Sequence, residues 1–106
     1  MNQKILNKIR EFTKARNWEQ FHTGENLAKS LIIEAAELLE LYQWDNKTDK
    51  LQEMKEELAD VMIYAIMLAD KYGFDIEEII LAKIKKNEEK YPVSKAYGKS
   101  NKYNEL

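Results

Sequence analysis

The chain of 106 residues has no cysteine, one proline, three glycines and one histidine. Without cysteine there is no disulfide, no thiolate metal site and no small disulfide-dependent secreted scaffold. A single histidine leaves a typical structural zinc site short of ligands. No apolar run approaches the roughly 20 residues needed to cross a bilayer. Met1–Arg16 is mixed and charged, unlike the apolar segment of a secretory leader, so a cytoplasmic protein with no membrane partner is expected. The net charge of −2 gives no excess of basic groups to neutralise phosphates, which argues against duplex nucleic acid as a partner. Period-two alternation is also missing, so no strand is expected.

What is present is a well-stocked apolar fraction: 44% hydrophobic residues, including two Trp, six Tyr and three Phe. That composition argues for a folded chain and against disorder. Its length allows one domain, residues 1–106, with a small core and much exposed surface. Apolar content on this scale in a small helical chain exceeds what one copy can cover, so assembly into a homo-oligomer is expected.

The breakers Gly24, Gly73, Pro92 and Gly98 divide segments whose apolar residues recur at helical spacing. An all-α antiparallel bundle of four main helices follows. The first helix runs from Asn2 to Arg16, with Ile5, Ile9 and Phe12 on one stripe. The second follows Thr23, an N-cap, and reaches Tyr42. The third starts near Asp49, in a capping-box pattern with Gln52, and stops before Gly73. The fourth starts at Asp75, boxed with Glu78, and is stopped at Lys90 by Pro92. A polar, irregular tail covers 93–106.

Two helices carry acids where apolar residues belong. With about 100° per residue, Glu34 falls between Leu41 and the pair Leu27 and Leu38, and Glu37 sits one turn later at the edge of that arc. Glu57 projects between Tyr64 and the pair Val61 and Leu68, with Asp60 one turn on. Residues 61–69 carry no charge, so that half of the helix is expected to be buried nearly all round. Two like charges 4 Å apart repel by roughly 4 kcal/mol at an effective dielectric of 20. Two such pairs on facing helices therefore call for a cation, and oxygen-only ligands select Mg²⁺, with Mn²⁺ as a substitute. Salt bridges to Lys or Arg of another helix are the rival explanation. On the fourth helix Lys83 and Asn87 lie within the stripe of Ile76, Ile79, Ile80 and Ile84, where they could bind phosphate or, in the case of Lys83, snorkel to solvent.

The ordered set of segments 16–22 (RNWEQFH), 26–27 (NL), 34–44 (EAAELLELYQW), 56–64 (EELADVMIY), 83–93 (KIKKNEEKYPV) and 102–106 (KYNEL) resembles the MazG-like nucleotide pyrophosphohydrolases, nearest to the branch that contains dCTP pyrophosphatase. The resemblance covers nearly the whole chain. It implies Mg²⁺-dependent hydrolysis of a nucleoside triphosphate to the monophosphate and pyrophosphate, in a house-cleaning role, by a homodimer or a dimer of dimers with sites at subunit interfaces. It makes Glu34, Glu37, Glu57 and Asp60 the metal ligands and catalytic acids. Tyr64, Lys83 and Asn87 become phosphate contacts, with Lys83 also catalytic, and Trp18 and Trp44 enclose the base. His22 is a weaker candidate. Two positions depart from the pattern. Ile9 stands where dCTP-preferring relatives carry a histidine, which puts dCTP preference in doubt, and Tyr97 stands where relatives usually carry a basic residue. A non-catalytic helical interaction module, or the same architecture acting on dUTP or a phosphoribosyl nucleotide, are the alternatives.

Overall fold

The computed structural model describes residues 3–46 and 49–105, the side chain of Tyr103 excepted. Asn2, Lys47, Thr48 and Leu106, which belong to the expected first helix, the 43–50 connection and the tail, lie outside the described residues. Among the described residues the structure is all helical: α1 (Gln3–Ala15), α2 (Gly24–Glu40), α3 (Leu51–Lys71), α4 (Ile76–Lys90) and a short α5 (Val93–Ala96). Two 3₁₀ turns, Trp18–Phe21 and Tyr103–Glu105, complete the described elements. The chain divides into two compact units, Met1–Phe74 and Asp75–Leu106. No helix of the described residues is long and apolar enough to cross a membrane.

In the first unit α2 and α3 make the principal helix contact, and α1 meets α3 over a shorter stretch. The α2–α3 pair is antiparallel. The Tyr42 hydroxyl, just past the end of α2, donates to Met54 Sδ near the start of α3 at 3.1 Å. At the other end, a Cβ added to Gly24 would run into the Tyr72 hydroxyl. Thr23 caps α2 as expected, its hydroxyl oxygen accepting from the Asn26 N–H at 3.1 Å. Between α1 and α2 the chain reverses through Asn17, in the left-handed region at φ 54°, into the Trp18–Phe21 turn. That turn is tied on both sides by side-chain amides: Gln20 donates to the Asn17 carbonyl and Asn26 to the Phe21 carbonyl, both at 2.9 Å. The core is small. Leu27, Ile66 and Ala69 are buried, together with Thr13, whose hydroxyl donates back to the Ile9 and Arg10 carbonyls of α1.

The second unit is built on α4. Asp75 accepts from the Glu78 N–H at 3.0 Å, the N-cap its sequence predicts. Within the expected tail, Val93–Ala96 is a helical turn that follows Pro92, a residue whose fixed φ suits the entry to a helix.

Three expectations require correction. The α3 cap is Lys50, with no side-chain cap, and Asp49 forms no capping box; Gln52 instead reaches forward along the helix to Glu56. The tail is partly helical. The uncharged half of α3 is not buried all round, because Met62 and Ile63 are exposed, as are Leu58 before it and Ile32, Ile33 and Leu39 on α2. The stripe on α4 is likewise exposed, at Ile79, Ile80 and Ile84.

Candidate functional site

Residues three apart on a helix project from one face, so Glu34 and Glu37 leave α2 together and Glu57 and Asp60 leave α3 together. The antiparallel α2–α3 packing turns the two pairs toward each other. One carboxylate oxygen from each of Glu34, Glu37 and Glu57 falls within 4.8 Å of the other two. Asp60 is outside this group of three, yet near enough for its charge to act on Glu34 and Glu57.

Electrostatically the cluster is unbalanced. Burial and then the neighbouring Glu37 carboxyl, followed by the charges of Asp60 and Glu57, push the Glu34 carboxyl from 4.5 up to about 7. Glu57 is raised in the same direction, by burial first and then by Glu37 and Asp60. Glu34 Oε2 and Glu57 Oε2 are sealed from solvent and have no hydrogen-bond partner among the described residues. No basic group is among the causes that act on Glu34 or Glu57, and ion pairs form elsewhere, as at Arg10–Asp70 and Lys29–Glu25. The salt-bridge explanation of these acids therefore finds no support. Buried, unpaired carboxylate oxygens are costly unless a cation satisfies them. An oxygen-only donor set of this kind suits a hard divalent ion.

Beside the acids, α1, the Trp18 turn and α3 enclose a cavity of about 410 Å³. Asp60, Ile63, Tyr64 and Met67 line it from α3, Lys8, Ile9, Phe12 and Thr13 from α1, and Trp18 and His22 close it. Trp18 stands edge-on to Phe12, with ring centroids 5.5 Å apart, and the Arg16 guanidinium lies 3.8 Å over the other ring. The cavity thus carries an acid at one end and mostly apolar walls, the character of a site for a flat, weakly polar group joined to a metal-binding one. The residues that the sequence reading assigned to the core stripe of the first helix, Ile9 and Phe12, are wall residues here. His22, the weaker candidate, lines the same cavity as Trp18, Tyr64 and Asp60. Lys8, Thr13, Ile63 and Met67 were not foreseen, because their helical spacing is that of any amphipathic face.

The remaining candidates are Trp44, Lys83 and Asn87. Trp44 is 90% exposed in the connection after α2 and lines a separate shallow hollow with Glu40, Gln43 and Asp49. Within the chain it does not join Trp18. Lys83 and Asn87 stand one turn apart on α4, in the second unit, with both side chains exposed.

Residues 28–106 match the model of the MazG-like family. The chain is similar to dCTP pyrophosphatase 1 from Homo sapiens, at 39% identity over 107 residues, and from Mus musculus, at 36% over 105. Each alignment takes in 91% of this chain and 62% of the relative, so the chain spans less than two thirds of the length of these proteins. Its fold is similar to that of a pyrophosphatase from Archaeoglobus fulgidus, with a TM-score of 0.80 and 41% identity across 85% of this chain and 91% of that one.

Proposed function

Because the chain belongs to the MazG-like family, we propose that it is a nucleoside triphosphate pyrophosphohydrolase, releasing a monophosphate and pyrophosphate. The observation that carries this reading is the group of three facing carboxylates with two sealed, unpartnered oxygens, next to an aromatic-walled cavity. The family match runs across both units, which supports treating 1–106 as one MazG-like domain.

Glu34, Glu37, Glu57 and Asp60 would hold Mg²⁺, or Mn²⁺ in its place. When bound, the ion supplies positive charge against the triphosphate and makes water a better nucleophile. A carboxylate of the group not fully engaged by the ion would accept the proton released as water attacks. Tyr64 lines the cavity together with Asp60 and would contact the phosphates. Trp18, with Phe12 behind it, would stack on the base. Lys83 and Asn87 are assigned to the phosphates, and Trp44 to the base, in the assembled homodimer or homotetramer. Ile9 lines the cavity and offers no polar base contact, so the substrate class is (deoxy)nucleoside triphosphates at large and not dCTP in particular. Clearing unwanted nucleotides in the cytoplasm is the role this chemistry serves best.

The test is pyrophosphate release from a panel of canonical and modified ribo- and deoxyribonucleoside triphosphates, with Mg²⁺ and with a chelator. Release that needs Mg²⁺ is expected. No release from any member would overturn the assignment.

A further inference from the structure

The metal-side acids and the aromatic wall of the cavity are mounted differently. Glu34, Glu37, Glu57 and Asp60 stand on α2 and α3, the two helices with the most extensive mutual packing. Trp18 belongs to the other mounting: its ring leans on Phe12 of α1, and Arg16, just past the end of that helix, also covers the Phe12 ring. The Trp18 end of the turn is therefore set by α1, while Asn26 of α2 holds its far end at the Phe21 carbonyl. Yet α1 stands away from α3, with the cavity between them, and touches it only over a short stretch.

At the end of that gap Arg10 grips Asp70 in a two-pronged contact, Nε donating to Oδ2 at 3.0 Å and the terminal nitrogen to Oδ1 at 2.6 Å. Sixty residues separate the partners in sequence. Glu19, the neighbour of Trp18, lines the two hollows that flank the pair, and one of these shares Ile9, Thr13, His22 and Met67 with the large cavity. A bidentate guanidinium–carboxylate contact fixes direction as well as distance. An isolated exposed pair contributes little to global stability, so its effect is felt where few other contacts set the geometry.

We propose that Arg10 and Asp70 are positioning residues that set the separation of α1 from α3, and with it the base-binding wall of the cavity, without acting on the acids. This deepens the proposed function and rests on it. Breaking the pair loosens the wall and weakens substrate capture, while the acids, held by α2 and α3, turn over bound substrate as before.

The test is steady-state kinetics on Arg10→Asp, Asp70→Arg and the swapped double variant, with the milder Arg10→Gln and Asp70→Asn alongside. Each single variant should raise KM about three- to tenfold, as for a coupled pair, with kcat unchanged, and the swap should restore most of the loss. Unchanged KM in the single variants, an equal fall in kcat, or a double variant as poor as the worse single one would overturn the proposal. Acrylamide quenching of Trp18 fluorescence in a Trp44→Phe background gives the same comparison without turnover. The single variants should expose Trp18 and the swap should shield it again; identical quenching in all would count against the proposal. If the wild-type chain hydrolysed no nucleotide, the function would fail while the quenching series still judged the pair.

Discussion

Glu34 shows what the acid cluster does to the metal-free protein. Its carboxyl is held near 7 in the folded chain against an ordinary 4.5. Between those values the folded state binds more protons than the unfolded state, so stability falls as pH rises through the window and is lowest above it. Melting of the metal-free protein should therefore move to lower temperature from about pH 5 to about pH 8, and Glu34→Gln should flatten that slope. A steeper slope in the variant would contradict the assignment. Metal binding needs the carboxylates ionised, so affinity for Mg²⁺ should rise over the same range. Asp70 works in the opposite sense: Arg10 holds its carboxyl below the ordinary value, and the stability it adds is lost only in acid. Glu37→Gln and Asp60→Asn should lower kcat by at least about a hundredfold, as expected for loss of charge stabilisation at the reacting centre, with circular dichroism unchanged. Activity near wild type in both would remove these residues from the site. The facing of Glu34, Glu37 and Glu57 was legible in the sequence because Glu34 and Glu57 fall inside apolar arcs and Glu37 lies one turn from Glu34. Phe12 was not, because a cavity wall and a core have the same periodicity, and Ile9 stood out only through the family resemblance.

At the scale of elements, caps that depend on one side chain were the most readable. Thr23 and Asp75 cap α2 and α4 as their patterns predict, while the Asp49–Gln52 pattern yields no cap, since Lys50 occupies that position and Gln52 turns toward Glu56. Thr23→Ala should cost about 1 kcal/mol of stability by denaturant titration. Gly73, at φ 72° after α3, should cost a similar amount, about 1 kcal/mol, when replaced by Ala. Leu27, 2% exposed, carries more of the small core, and Leu27→Ala should cost about 2–5 kcal/mol. The Trp18–Phe21 turn was invisible because the Gln20 and Asn26 side chains help to hold it and its entry needs a left-handed Asn17. No periodicity encodes such a turn.

At the scale of the whole molecule the apolar ledger is unfinished. Ile32, Ile33 and Leu39 on α2, Leu58 and Met62 on α3, and Ile79, Ile80 and Ile84 of α4 remain exposed in the single chain. Such faces mark surfaces that another protein surface covers, in keeping with the proposed homo-oligomer. Ile33→Glu should lower the mass measured by light scattering at equal concentration; an unchanged oligomer would exclude that face. Burial was expected for 61–69, Met62 included, and helical spacing distinguishes an inner from an outer face but not one's own core from a partner's.

The chemistry proposed for this chain requires the facing carboxylates to hold a divalent ion. Titration with Mn²⁺, followed by loss of the free-ion electron paramagnetic resonance signal, tests it most directly. Saturable uptake that Mg²⁺ competes away, and that Glu37→Gln and Glu57→Gln abolish in folded protein, is the predicted result. Equal uptake by the variants, or none by the wild-type chain, would contradict it.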